Sequence, residues 1–270
     1  AIVEVLDKAF AAIDQAKANL EQNIANAKEL FQSKLDAIFD CSMDNGGLIM
    51  DNSVAASSPL RKYWEERTLE SCLTSQPRNG WSPPAAHHAA SGIPVLTLSA
   101  VTGFNFREDK VKYTSAQTDP ERHYWVENGD LLITRSNTPE LVGHVAIAKG
   151  IMIPTVYPDL IMKMKTDLSI LTTKFAYWQL RSPRLRKIIM ERASGANPTM
   201  KKVNQTAVKT LPLRIPSIPL QKSIASQLDR FHTETQSLKV HYQTKLTSLD
   251  ELKKSILQKA FRGQLTGDNG

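Results

Sequence analysis

Cysteine is nearly missing from this sequence: Cys41 and Cys72 are the only two among 270 residues. They stand apart from each other and from any metal-ligand spacing, which excludes a disulfide framework and points to a reducing, cytoplasmic environment. No apolar run approaches the roughly 20 residues that span a bilayer, and no signal peptide is visible, so no membrane partner is expected. No Gly-rich loop follows a strand-like run to hold a cofactor such as S-adenosylmethionine, and none is expected in this chain. Ser82-Pro83-Pro84-Ala85 and Asn197-Pro198-Thr199-Met200 brush the motif of amino-methylating DNA methyltransferases. Neither supplies the aromatic that stacks on an extruded base, and proline turns explain both. His87-His88 lacks a second ligand pair, so no metal site is expected. Asp159 and Glu108-Asp109-Lys110 stand in the wrong order for a nuclease-like set, and no catalytic residue is assigned.

What is present is a repeat. Ile2, Leu6, Asp7, Lys17, Glu29, Leu30, Ser33, Leu35 and Phe39 align without a gap on Ile224, Leu228, Asp229, Lys239, Glu251, Leu252, Ser255, Leu257 and Phe261. A match at both ends around an unrepeated middle constrains the architecture. Ile2, Leu6, Ala9, Ile13, Ala16 and Leu20 recur at steps of four and three, the seam of a coiled coil. Ile24 adds a second consecutive step of four before Ala27, Phe31, Leu35 and Ile38, a stutter that relaxes the supercoil. The second copy keeps the phase through Leu228, Phe231, Thr235, Leu238, Tyr242, Leu246, Leu249, Ile256 and Ala260. It is entered through Pro216-Ser217-Ile218-Pro219, and Gly263 is a candidate stop. Leu6, Ile13, Leu20, Leu35, Leu228, Leu238, Leu246 and Ile256 are the expected helix-pairing residues. Two such helices, joined through one globule, are expected to pack antiparallel as a stalk roughly 57 Å long.

The expected organisation is a helical region at 1–42, a linker at 43–59 rich in Asp, Asn, Gly and Ser, a globule at 60–217, a second helical region at 218–266, and a tail at 267–270. Within the globule, Ile93–Leu98, Leu131–Thr134, Val142–Ala148, Leu160–Met164 and Leu211–Ile215 read as strands, and 169–193 as one helix. The fold class is therefore α+β: one mixed α/β globule flanked by two long helices.

The acids are scarce where the globule lies. Residues 60–217 hold 22 Lys and Arg against 13 Asp and Glu, for +9, whereas 1–42 hold four against seven, for −3. A polyanion is the leading partner of such a surface. Arg181, Arg184, Arg186, Lys187, Arg192, Lys201 and Lys202 crowd together with Glu191 as the sole acid among them. They are candidates for phosphate neutralisation with counterion release. Arg78, Asn79, Arg107, Arg122, Arg135, Asn137 and Asn197 are candidates for base edges, which bidentate Arg and Asn side chains read. For any one of them a solvated charge or a structural ion pair is the simpler reading, and Arg135 ends an apolar strand.

These motifs converge on a family. The chain resembles the DNA sequence-specificity subunit of type I restriction–modification enzymes. Gly129-Asp130-Leu131-Leu132-Ile133-Thr134-Arg135-Ser136-Asn137 is similar to the signature strand and turn of its target recognition domain. Lys201-Lys202-Val203-Asn204, Leu211–Pro216 and Pro219-Leu220-Gln221 resemble the last strand and its exit, and Leu252–Leu265 resembles the conserved helical region. The family pattern is domain, helix, domain, helix; this chain has helix, domain, helix. It thus resembles a half-length subunit or the C-terminal part of a longer one. The resemblance implies a non-catalytic protein that reads part of a split double-stranded DNA target. It implies helices that set the spacing and dock methyltransferase subunits, which carry S-adenosylmethionine and recruit the restriction translocase. A homodimer with antiparallel stalks would read an interrupted palindrome. The alternative from the residues alone is a coiled-coil scaffold with a protein-binding globule; a self-contained methyltransferase ranks third.

Overall fold

The computed structural model describes residues 2–39, 64–197 and 199–262. The linker expected at 43–59, Cys41, Pro198, Gly263 and the tail at 267–270 lie outside them. The first half of the chain forms α1 (Ile2–Phe39), β1 (Glu65–Thr68), β2 (Leu73–Asn79), β3 (His88–Ala89), β4 (Ile93–Leu96), β5 (Val111–Thr114) and β6 (Leu131–Thr134). There follow β7 (Ser136–Asn137), β8 (Val145–Ile147), β9 (Ile161–Thr166), α2 (Thr173–Leu180), α3 (Pro183–Arg192), β10 (Lys201–Lys202), α4 (Gln205–Lys209), β11 (Pro212–Ile215) and α5 (Ile218–Phe261). The fold is α+β, with long helices flanking a sheet domain in the chain. The chain divides into two compact units, one from α1 up to Lys34 with α5 from Leu228 on, the other from Leu35 to Gln227.

In the helical unit the apolar stripe of each helix meets the other, as an unpartnered 3.6-period face must. Lys17 Nζ reaches Asp250 Oδ1 at 2.7 Å and Lys253 Nζ reaches Asp14 Oδ1 at 2.7 Å. Phe31 stacks on Phe231 with ring centroids 5.8 Å apart. Numbers rise in one helix as they fall in the other, so the pair is antiparallel. Ile13, Leu228 and Leu246 are buried, and Leu6, Leu20 and Ile256 are half-buried. Leu238 departs from the expected seam, at 41 % exposed. By the register of the ion pairs it lies opposite the α1 stretch after the stutter. At that register the facing residue is Glu29, an exposed charge with no apolar surface to offer.

The globule is built on an antiparallel sheet in the order β2-β9-β6-β8. All four residues of β6 are buried. Leu132, Ala146 and Ile161 join a cluster with Val95, Val101, Phe106, Tyr124, Val126 and Tyr157. The alternate positions Leu131, Ile133, Met162 and Met164 are fully buried too, and α2 packs against β8 and β9. A sheet covered on both faces explains the continuous apolar runs in its central strands. Gly143 turns the chain into β8 at φ 73°, and a Cβ there would meet Ile189 Cγ2 at 2.3 Å. That turn shortens the strand expected from Val142. The single helix expected at 169–193 is two, because Ser182 caps α3 through the Leu185 amide and Pro183 opens its first turn.

β1 pairs antiparallel with β11, so the globule's first and last strands lie side by side. Two buried glutamines lock this region. Gln179 Nε2 donates to the Arg214 carbonyl at 2.9 Å, and Gln179 Oε1 accepts from the Arg214 amide at 3.3 Å. Gln221, in the first turn of α5, accepts from the Thr172 amide at 2.8 Å and donates to the carbonyls of Ile170 at 2.8 Å and Pro216 at 2.9 Å.

Leu35 is fully buried, and Leu35→Ala is expected to destabilise by about 2–5 kcal/mol, whereas Leu238→Ala should cost under about 1 kcal/mol. Urea unfolding followed by far-UV circular dichroism measures both. Gln221→Leu, by orphaning three backbone groups, should cost about 2 kcal/mol or more in the same assay.

Candidate nucleic-acid interface

Among the described residues, several guanidinium groups of the globule are engaged by its own carbonyls and rings. Arg107 Nη2 donates to the Ser99 carbonyl and to that of Thr102 at 3.2 Å. Arg184 Nη1 donates to the Pro212 carbonyl at 3.2 Å. Arg186 donates to the carbonyls of Val142 at 2.7 Å and Glu140 at 3.0 Å. Arg192 donates to the Ala207 carbonyl at 2.9 Å and Thr210 Oγ1 at 3.1 Å. Arg181 lies against three rings, Phe104, Tyr177 and Trp178, at 4.8–5.7 Å from their centroids. Burial pushes the Arg186 guanidinium down to about 10, which still leaves it cationic at neutral pH. Arg107 and Arg184 are thus engaged in holding turns and strands, and in the basic run at 181–202 Arg181, Arg186 and Arg192 are likewise engaged by rings or carbonyls of the globule.

Two edges keep candidates at the surface. At the first, β10 pairs with β7, setting Lys201 opposite Asn137 and Lys202 opposite Ser136. Arg135, half-buried, leads into this ribbon, its amide on the Leu160 carbonyl at 2.8 Å and its carbonyl accepting from Val203 at 2.9 Å. Lys201 Nζ donates to the Gly195 carbonyl at 3.0 Å, whereas Lys202 is exposed. Asn137 is half-buried; its Oδ1 accepts from the Thr138 amide at 2.9 Å and its Nδ2 donates to Thr102 Oγ1 at 3.2 Å. At the second edge, exposed Arg78 and half-buried Asn79 end β2. Next to them Gly80, Trp81, Asp119, Arg122, His123 and Tyr124 line an open concavity of about 510 Å³. Trp81 stacks on Tyr124 at 5.2 Å, Arg122 Nε pairs with Asp119 at 3.1 Å, and His123 Nε2 lies 2.9 Å from the Asn79 carbonyl. Asn79 Oδ1 is buried and has no hydrogen-bond partner among the described residues.

Asp130 has a supporting part. Its carboxylate accepts from the Glu127 amide at 2.8 Å, and Lys163 Nζ, on the neighbouring strand, lies 3.4 Å away. Burial still raises its pKa above the ordinary value, against the pull of that amide and of Lys163 and Lys165. The Gly-Asp turn therefore neutralises a lysine under the sheet and fixes where β6 begins.

A cluster that sequence reasoning missed sits around His144. Its Nδ1 accepts from the Gly103 amide at 2.9 Å and its Nε2 lies 3.1 Å from the Glu140 carbonyl. Phe104 stacks on its ring at 4.0 Å. Nothing in the spacing of Gly103, Phe104, His144 and Arg181 marks them as neighbours.

A family model described as "Type I restriction modification DNA specificity domain" matches residues 61–248. The chain belongs to this family. The matched range contains the Gly129–Asn137 strand and turn and the Lys201–Gln221 exit quoted above; the Leu252–Leu265 motif lies beyond it. The chain is 25 % identical over 267 residues to the EcoKI specificity subunit of Escherichia coli (strain K12), covering 98 % of this chain and 55 % of that protein. It is 24 % identical over 272 residues to the StySPI specificity subunit of Salmonella potsdam, again covering 98 % and 55 %. The chain thus spans about half the length of these curated relatives. Among solved structures, a chain of a type I R-M system superposes with a TM-score of 0.72 at 19 % identity, covering 98 % of this chain and 59 % of that one. The HsdS subunit from Thermoanaerobacter tengcongensis gives 0.57 at 18 % identity, covering 98 % and 58 %. The candidate side chains that stay at the surface lie on two edges of this globule. Among the described residues, no helix is long and apolar enough to cross a membrane.

Burial, with Arg186 and Arg181 beside it, lowers the His144 pKa from 6.5 to about 4. Between those values the unfolded chain takes up a proton that the folded one does not, so stability falls as pH drops through that window. The loss is on the order of 3 kcal/mol in full. Urea midpoints at pH 7 and pH 5 should therefore differ more for the parent than for His144→Gln; equal differences would mean that His144 is charged in the fold at pH 5.

Proposed function

We propose that this chain is a non-catalytic DNA-reading component of a type I restriction–modification complex. The carrying observation is the match to a DNA specificity domain, laid over the globule and most of α5. In this reading, residues 60–217 are a target recognition domain for one part of a bipartite duplex target. The helical regions at 1–42 and 218–266 are spacer and docking surface for methyltransferase subunits, which bring S-adenosylmethionine and, through them, the restriction translocase. The linker at 43–59 joins the first helix to the reading head, and the complex acts in the cytoplasm.

The geometry supports a division of labour between the two edges. Lys202, exposed on the ribbon with Asn137 and Lys201, suits a phosphate contact. Arg78, Asn79 and Arg122, around the concavity, suit base edges or backbone at the other edge. Two copies associating through their helices would present two identical heads to an interrupted palindrome.

Two measurements test the reading. The purified chain, alone or with a methyltransferase subunit, is expected to shift a random duplex at low salt; no shift in either case would favour a protein-binding scaffold. Lys202→Ala is expected to weaken binding to all duplexes alike and to flatten the dependence of log K on log salt by about 0.9. An unchanged slope would move the phosphate footprint off this edge. For the twofold arrangement, a map of methylated sites in the host should show interrupted palindromes rather than asymmetric targets alone.

A further inference from the structure

The turn that leaves the hydrophobic cluster after Val101 and returns at Phe106 is held more firmly than its solvent exposure calls for. Its roots, Ala100, Val101 and Phe106, are buried in that cluster, and the Arg107 amide closes it on the Ala100 carbonyl at 3.0 Å. Thr102 is tied by its amide and its Oγ1 to the Leu98 carbonyl, at 2.9 and 2.8 Å. The tip then carries Gly103, Phe104 and Asn105. Phe104 has φ 61°, the one described non-glycine residue in the left-handed region, a conformation bulky side chains rarely adopt. Tyr177 Oη, donating to the Phe104 carbonyl at 2.6 Å, and the stack of its ring on His144 hold it there.

Strain kept in place by independent anchors points to something the turn must present. What it presents is Asn105. That side chain is exposed, and among the described residues its carboxamide has no hydrogen-bond partner. Asn137, whose Nδ2 reaches Thr102 Oγ1, faces Lys201 across the β7–β10 pair, so the tip adjoins the ribbon that carries Lys202. An unengaged carboxamide on a rigid turn, next to a cationic ribbon, has the chemistry for bidentate recognition of adenine at N6 and N7 in a major groove.

We infer that Asn105 is a specificity-determining residue of this globule, that it reads one adenine, and that Phe104, His144 and Tyr177 position it. The inference rests on the proposed DNA reading. The experiment is selection of duplexes from a randomised library by the full chain, with its methyltransferase subunit if that is needed for binding, followed by affinity measurements on selected and random duplexes. Asn105→Ala, which removes no internal contact, should relax the preference at one base pair by about 5-fold to 150-fold and leave affinity for random duplex within about twofold. Tyr177→Phe should weaken selected duplex more than random duplex, whereas a merely structural hydroxyl would lower thermal stability and leave the ratio alone. An unchanged sequence preference in Asn105→Ala overturns the inference while the DNA-reading role stands. Failure of the parent chain to bind any duplex overturns both.

Discussion

A globule assembled from short strands leaves many backbone carbonyls at element ends, and each one buried without a donor costs free energy comparable to a lost hydrogen bond. Here guanidinium and carboxamide groups meet that demand. Arg107, Arg184, Arg186 and Arg192 all donate to carbonyls, and Gln179 and Gln221 do so at the place where the chain closes its circuit. A guanidinium can satisfy several carbonyls at once because its donors are fixed in a planar fork. The basic character of the globule is therefore partly a structural property, and only the remainder is available to a polyanion.

This division shows what the sequence could and could not reveal. The helical seam was legible because it is a local periodicity: positions four and three apart share a face whatever else happens. Leu238 fell out of it for a reason residing in the other helix, where the ion-pair register sets exposed Glu29 opposite it. The central strands β6 and β9 were legible as apolar runs. β2 was not: it reads Leu-Thr-Ser-Gln-Pro-Arg-Asn, with a proline and register shifts against β9, as edge strands permit. The break between α2 and α3 was written in Ser182-Pro183, a cap followed by a helix-opening proline, and was hidden by the apolar pattern running through it.

The candidate interface was less legible than the fold, and for a different reason. Charge density is visible in a sequence, but the destination of each charge depends on which carbonyl lies within reach. Arg184 and Lys202 carry the same charge in the same basic run; one is bound to the Pro212 carbonyl and the other is exposed. The turn at Gly103-Phe104-Asn105 was passed over because its anchors, His144 and Tyr177, come from segments about 40 and 70 residues away, and no local pattern joins them.

The paired ion bridges of the helical unit also bear on which helices can mate. α1 carries four lysines and six carboxylates, and α5 seven Lys and Arg with four carboxylates. Setting α1 against another α1 would place Asp14 and its fellow acids on a partner of the same sign, and two α5 helices would repeat the fault with lysines. The repeat gives both helices one apolar grammar, and their opposite charges give it a gender: Lys17 finds Asp250 and Lys253 finds Asp14 only in a mixed pair. Such a code discriminates more by penalising like with like than by any strength of its exposed bridges.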